Sequence, residues 1–212
     1  MAVTLLFLSA MVDLPQSFLK KLETLRVVET SRILVVSVAE QKLTLFEARH
    51  PKSEYSISTA RNGTGQKVDS YQTPLGLHRI KEKIGADAPW GAIFESREFK
   101  GEIWTSSPST SLPHLNPQKP KNSNFLEDES ASPDLTTTRI LWLEGLETGI
   151  NAGSDPDGIL VDSYQRFIYI HGTNHENHIG NPTSRGCIRM LNSEMITLFD
   201  QVEEGDLVWI QK

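Results

Sequence analysis

The spacing of apolar positions changes character near residue 30. Before it, Phe18, Leu22 and Leu25 recur at helical intervals, behind Asp13 as a cap and Pro15 in the first turn, which predicts an amphipathic helix. From Arg32 the period shortens to two and β-branched residues become frequent. Residues 33–38, residues 43–46 after an Ala39-Glu40-Gln41 turn, and residues 55–59 read as an antiparallel hairpin and a third strand. Asn62-Gly63 and Gly65 mark a loop, and Thr73-Pro74-Leu75-Gly76 punctuates the chain before a strand at 77–80. Further strands are expected at 93–94, 139–143, 166–170 and 206–210. One helix is predicted in the second half, beginning at Asn192, with Met195, Leu198, Phe199 and Val202 on one face and Gly205 as its stop. The pattern is that of a mainly β fold with a few helices.

Two stretches break this pattern. Residues 105–138 hold five of the 11 prolines among Ser, Thr, Asn and Lys, without a Val or Ile, and so cannot build a core. They are expected to be a polar, flexible insertion or a lid. The apolar run 2–12 is far shorter than the roughly 20 residues a membrane-spanning helix needs. No Lys or Arg precedes it and no small-x-small site follows, so it serves either as an atypical export segment or as a lead into the first helix. The expected organisation is an N-terminal helical extension over 1–30 and one domain over 31–212.

Composition narrows the function classes. A net charge of −6 argues against a nucleic-acid binder, which concentrates Lys and Arg on one face. The single cysteine, Cys187, excludes an internal disulfide and any cysteine-cluster zinc site. Asp155-Pro156-Asp157-Gly158 lacks the alternating ligands of a calcium loop and reads as a turn.

Chemistry concentrates between His171 and Arg189, where three readings compete. His171, His175, His178 and Cys187 offer four ligands to a tetrahedral zinc ion, but Gly172, Thr173 and Asn174 make poor helix and no Glu follows His171 as in H-E-x-x-H. Alternatively, Cys187 is a nucleophile in a tight turn and His171, at the end of a strand, its base. At the ordinary thiol pKa only ~3 % is thiolate at pH 7, whereas a value near 6.5 gives ~75 %, a shift that His171 with Arg185 and Arg189 could supply. Gly186 would then let a substrate carbonyl approach the amides of Gly186 and Cys187 as an oxyanion hole. The third reading makes Cys187 a small buried apolar residue and His171 a satisfied core histidine.

Tyr169-Ile170-His171-Gly172-Thr173 followed by Ile179-Gly180-Asn181-Pro182-Thr183-Ser184-Arg185-Gly186-Cys187-Ile188-Arg189-Met190 resembles the signature of L,D-transpeptidases of the YkuD family, a His followed some 15 residues later by [Ser/Thr]-x-Gly-Cys; here the separation is 16. The upstream Ser58-Thr59 and Thr73-Pro74-Leu75-Gly76, the hairpin ending in Gln41-Lys42-Leu43-Thr44-Leu45-Phe46, and the terminal helix-Gly-strand resemble the same family. Arg185 and Arg189 stand where many members carry His and Asn, a variant associated with the Cys-Ile-Arg-Met branch. The resemblance implies a β-sandwich-like catalytic fold without metal or other cofactor, working as a monomer on peptidoglycan in the cell envelope. It implies that Cys187 attacks the L,D bond of a tetrapeptide stem and releases D-alanine, His171 moves the protons, Ser184 positions the turn, and the Gly172 carbonyl orients the imidazole. Arg189 and Arg185 would bind substrate, Arg189 through a stem carboxylate. The acceptor would be the amine of a second stem, giving a 3-3 cross-link. Alternatives are water, making a carboxypeptidase, and a non-catalytic peptidoglycan-binding module.

Overall fold

The computed structural model describes residues 13–105 and 133–212; the apolar run 2–12 and most of the predicted insertion lie outside the described residues. Helix α1 (Gln16–Leu25) precedes strands β1 (Arg32–Ser37), β2 (Lys42–Glu47), β3 (His50–Ser56), β4 (Gly76–Ile84), β5 (Ala92–Glu95), β6 (Glu98–Ile103), β7 (Thr136–Gly145), β8 (Tyr169–Thr173) and β9 (Ile188–Met190). Helix α2 (Asn192–Gln201) and strand β10 (Leu207–Gln211) end the chain. The strands form one curled sheet in the order β3-β2-β1-β10-β4-β7-β5-β6, with β8 on β7 and β9 on β8. Pairing is antiparallel except for β1 with β10 and β8 with β9.

Strand β7 is the branch point. One edge pairs with β8, while the other is shared between β5 at Thr136 and Thr137 and β4 from Ile140 onward. Thr138 sits at the handover with φ 68°, a left-handed conformation unusual for a β-branched residue. Because side chains alternate along a strand, β7 feeds two cores. Leu141 and Leu143 point into the main one, with Leu34, Ile170, Ile188 and the α2 residues Met195, Leu198 and Phe199. Ile140 and Trp142 point the other way, into a smaller cluster with Ala92, Phe94 and Tyr169.

Helix α1 covers the outer face of the sheet. Phe18 and Leu22 are buried among Ile33, Val35, Phe46, Leu77 and Trp209. The position before the helix is Pro15, and no side chain caps it, so Asp13 does not fill the expected role. Lys21 reaches Glu147 at 2.5 Å, and Glu147 in turn accepts the Leu77 amide.

Several strands depart from the expected limits, among them β3, which spans His50–Ser56 where the pattern predicts 55–59. β8 lies three residues later than the pattern suggests, because Arg166 and Phe167 bond back to Asp162 and Tyr164 in a turn. His171 is therefore inside the strand rather than at its end. The predicted insertion is shorter at its C-terminal end, since Thr136 to Thr138 belong to β7 and the Leu135 amide donates to Asn174. β6 is exposed at every position, so nothing in its composition marks it.

His78 on β4 is fully buried. Its Nδ1–H donates to the Gly76 carbonyl at 3.0 Å, which leaves Nε2 to accept from the Ser163 hydroxyl at 2.9 Å and ties β4 to the loop before β8. Burial, first, pulls the imidazole down to about 4. The unfolded chain, with an ordinary histidine near 6.5, binds the proton first as pH falls. Stability is thus greatest above pH ~6.5 and declines towards pH 4, by about 3 kcal/mol from this residue alone. Urea unfolding of wild type and His78→Gln at pH 7 and pH 4.5 should show a shallower pH dependence in the variant; equal slopes would contradict the assignment.

Candidate active site

The site rests on the β8–β9 pairing. Ile170 opposes Ile188 and His171 opposes Arg189, in parallel register. The isoleucines enter the main core, so Tyr169, His171, Cys187 and Arg189 face the other side. Strand geometry places the Cα atoms of His171 and Cys187 about 8 Å apart on that face. The Tyr169 amide donates to Cys187 Sγ at 3.4 Å, and the thiol donates to the Phe167 carbonyl at 3.3 Å.

Short polar ties shape the turn before Cys187. The Ser184 hydroxyl donates to the Cys187 carbonyl at 2.6 Å and accepts the Gly186 amide at 3.2 Å. The Gly186 amide is therefore occupied and does not stand open as an oxyanion donor, contrary to expectation; its φ of 130° is one that favours glycine. Thr73 donates to the Gly186 carbonyl at 3.0 Å while accepting the Ala60 amide, which joins the Thr73-Pro74-Leu75-Gly76 segment to the cysteine turn. Ser58 exchanges backbone hydrogen bonds with Arg189, and its hydroxyl bonds the Asn181 carbonyl and Thr183. Buried Asn192 accepts from Thr137 and Thr138 and donates to the Thr173 carbonyl and Glu176, clamping β7, β8 and the start of α2 together. A Cβ at Gly172 would collide with the side-chain Oδ1 of Asn192 and the Thr137 backbone carbonyl, so only glycine fits beside the histidine.

The remaining sequence candidates fall in different places. Arg189 is not a surface cation: it is 1 % exposed and bound to Asp134 at 2.6 Å, with a further bond to the Thr183 carbonyl. Its carboxylate partner lies within the chain, where the resemblance had implied a carboxylate of the substrate. Arg185 is exposed beside the turn. His175 is buried, its ring 5.7 Å from that of His178. Among the described residues, no group of three or more His, Cys, Asp or Glu could hold a metal ion. No sequence pattern marks the aromatic wall against which Cys187 packs. There Trp142 stacks on Tyr164 at 4.0 Å and meets Tyr169 edge-on, and Arg97 from the β5–β6 turn lies over Trp142 and Phe167.

Charge at the site follows from this burial. His171 Nδ1–H donates to the Gly172 carbonyl at 2.6 Å, so Nε2 carries the lone pair and has no hydrogen-bond partner among the described residues. Burial holds the imidazole below its usual value, with the Asp134 carboxylate pulling the other way. Burial beside the aromatic wall pushes the Cys187 thiol up to about 11, against the Tyr169 amide and the charges of Arg189 and Arg166. The site therefore holds a neutral thiol and a neutral imidazole, not the preformed thiolate that the arginines suggested. Only about one thiol in ten thousand would be ionised at pH 7. Alkylation of Cys187 by iodoacetamide should climb steadily to pH 10 and at pH 7 run on the order of a hundredfold slower than at an unperturbed cysteine. A plateau between pH 6 and 8 would show a resting ion pair instead.

A family model described as the L,D-transpeptidase catalytic domain, YkuD, matches residues 31–210. The probable L,D-transpeptidase ErfK/SrfK of Salmonella typhimurium is 40% identical over 81 residues, 37% of this chain and 26% of that protein. The putative L,D-transpeptidase YqjB of Bacillus subtilis is 47% identical over 45 residues, 21% of this chain and 26% of that protein. The matches thus span about a quarter of the length of those curated relatives. A crystal structure of an L,D-transpeptidase from Xylanimonas cellulosilytica aligns over 87% of this chain and 62% of that one, at 13% identity and a TM-score of 0.47. With the family model spanning 31–210, the chain belongs to the L,D-transpeptidase catalytic domain (YkuD) family.

Proposed function

We propose that the protein is a cysteine-dependent peptidoglycan L,D-transpeptidase with Cys187 as nucleophile and His171 as general acid and base. The observation that carries this reading is the placement of the thiol and a singly protonated imidazole on one face of paired strands, with Nε2 left as the basic nitrogen. The donor is a tetrapeptide stem. As its carbonyl carbon approaches Sγ, the thiol proton passes to His171 Nε2 and the S–C bond forms, which charges the neutral pair only during attack. The Cys187 amide is the nearest backbone donor for the oxyanion; Gly186 joins it only if Ser184 releases its N–H. Collapse of the tetrahedral intermediate breaks the C–N bond, and Nε2–H protonates the departing D-alanine amine. A thioester remains. The amine of a second stem then attacks it, giving its proton to Nε2 and forming the 3-3 cross-link, and the thiol regains the proton. Such a substrate places the enzyme at the cell envelope.

Ser184 and Gly172 act through their neighbours, Ser184 by fixing the Cys187 carbonyl and Gly172 by fixing the imidazole tautomer. Incubation with disaccharide-tetrapeptide and chromatography of the products tests the reading. Wild type should release D-alanine with a cross-linked dimer. Cys187→Ala should release none, and His171→Ala should fall by at least about a hundredfold, the contribution of a positioned acid-base group. D-alanine without dimer would assign water as the acceptor; full turnover by Cys187→Ala would remove the thiol from the mechanism.

A further inference from the structure

Beside Cys187 lies a cavity of about 240 Å³ whose wall includes Asp69, Tyr71, Arg166, Phe167 and Arg185. It adjoins the nucleophile, since the Phe167 carbonyl accepts from Cys187 Sγ and Arg185 is two residues before the thiol. Two arginines and one acidic residue line it, on a chain whose net charge is −6. The Arg166 guanidinium donates to the carbonyls of Gly65 and Gln72 and the hydroxyl of Ser70, and among the described residues it meets no carboxylate. Its partial burial lowers its affinity for the proton, with the Cys187 sulfur pulling the other way. Those bonds also hold the 65–72 loop against the turn before β8. Asp69, Tyr71 and Phe167 all have left-handed backbones, at φ 58°, 53° and 57°. Strained non-glycine residues of this kind persist where surrounding contacts enforce them, and they cluster at ligand sites. Tyr71 and Phe167 leave more than half of their surface open, 57% and 51%, although both are large and apolar.

We propose that this cavity is a carboxylate subsite, in which Arg185, backed by Arg166, binds a carboxylate of the peptide that reacts at Cys187. The assignment rests on the transpeptidase reading for the identity of the peptide. A volume of this size takes one amino-acid residue, and the two exposed rings flank its apolar part while the guanidinium fork of Arg185 meets its carboxylate. Arg185 thus replaces Arg189, whose charge is committed to Asp134, as the cation that meets the substrate.

The chain's one cysteine allows a test without turnover. Anionic iodoacetate and neutral iodoacetamide alkylate the same sulfur, so the ratio of their rates cancels any change in thiol ionisation and reports anion recognition. The ratio should drop about threefold to fivefold in Arg185→Gln, the size expected for one partly exposed charge pair, and be largely kept in Arg185→Lys. Equal ratios in wild type and Arg185→Gln would overturn the subsite. Stem peptides with each carboxylate in turn converted to an amide then identify its source. Discrimination against the donor amide during acylation, lost in Arg185→Gln, assigns the donor; discrimination against the acceptor amide during transfer, lost in the same variant, assigns the acceptor. Discrimination unchanged by the substitution in both steps overturns recognition of the peptide. Wild-type protein that releases no D-alanine would defeat the transpeptidase reading, and the alkylation ratio would still decide on the cavity.

Discussion

Parallel pairing of two short strands, Tyr169–Thr173 and Ile188–Met190, is the constraint on which the site depends. Parallel neighbours need a crossover between them, and here the intervening residues 174–187 supply both that crossover and the cysteine turn. Shifting the register by one residue would send Cys187 into the core and Ile188 out to the site. The isoleucine pair Ile170 and Ile188, both fully buried, opposes that slip. The hydrophobic core thus fixes the relative position of two polar groups that it does not itself contain.

Polar ties transmit this order to the turn. A three-residue strand has few ladder bonds, and β9 gains support from Ser58, which pairs with Arg189 on the side away from β8. Thr73 and Ser184 hold the backbone on either side of Gly186, and Asn192 locks the strand that carries His171 to its neighbour β7. Each of these side chains is almost fully buried; Ser58, Thr73 and Asn192 join segments far apart in sequence, and Ser184 ties its own turn. Such ties preorganise a site because a buried polar group without its partner costs roughly 1–3 kcal/mol.

Much of this was legible in the residues. The hairpin β1–β2, helix α2 and the strand carrying His171 follow from periodicity, and a histidine and a cysteine flanking a Gly-containing turn mark the chemistry. Other features lie beyond local pattern. Arg189 reads as a substrate-binding cation because its partner Asp134 is 55 residues away, in a stretch whose composition suggested an insertion. Ser58, Thr73 and Asn192 have the composition of loops and caps and reveal their work only when folded. The raised thiol comes from Trp142, Tyr164 and Tyr169, brought together from two strands and a loop, so a count of nearby arginines pointed to the opposite charge state.

That charge state sets how the reaction must run. With both partners neutral at rest, charge separates as the sulfur bonds to carbon. The account stands on acyl transfer through Cys187. Mass spectrometry of the intact protein, mixed with disaccharide-tetrapeptide and quenched in acid within a turnover, addresses this directly. The predicted result is an adduct of the donor's mass less D-alanine, mapped to the peptide bearing Cys187 and released by hydroxylamine as a thioester should be. Turnover with Cys187 unmodified at every quench time, or an adduct mapped to another residue, would contradict it.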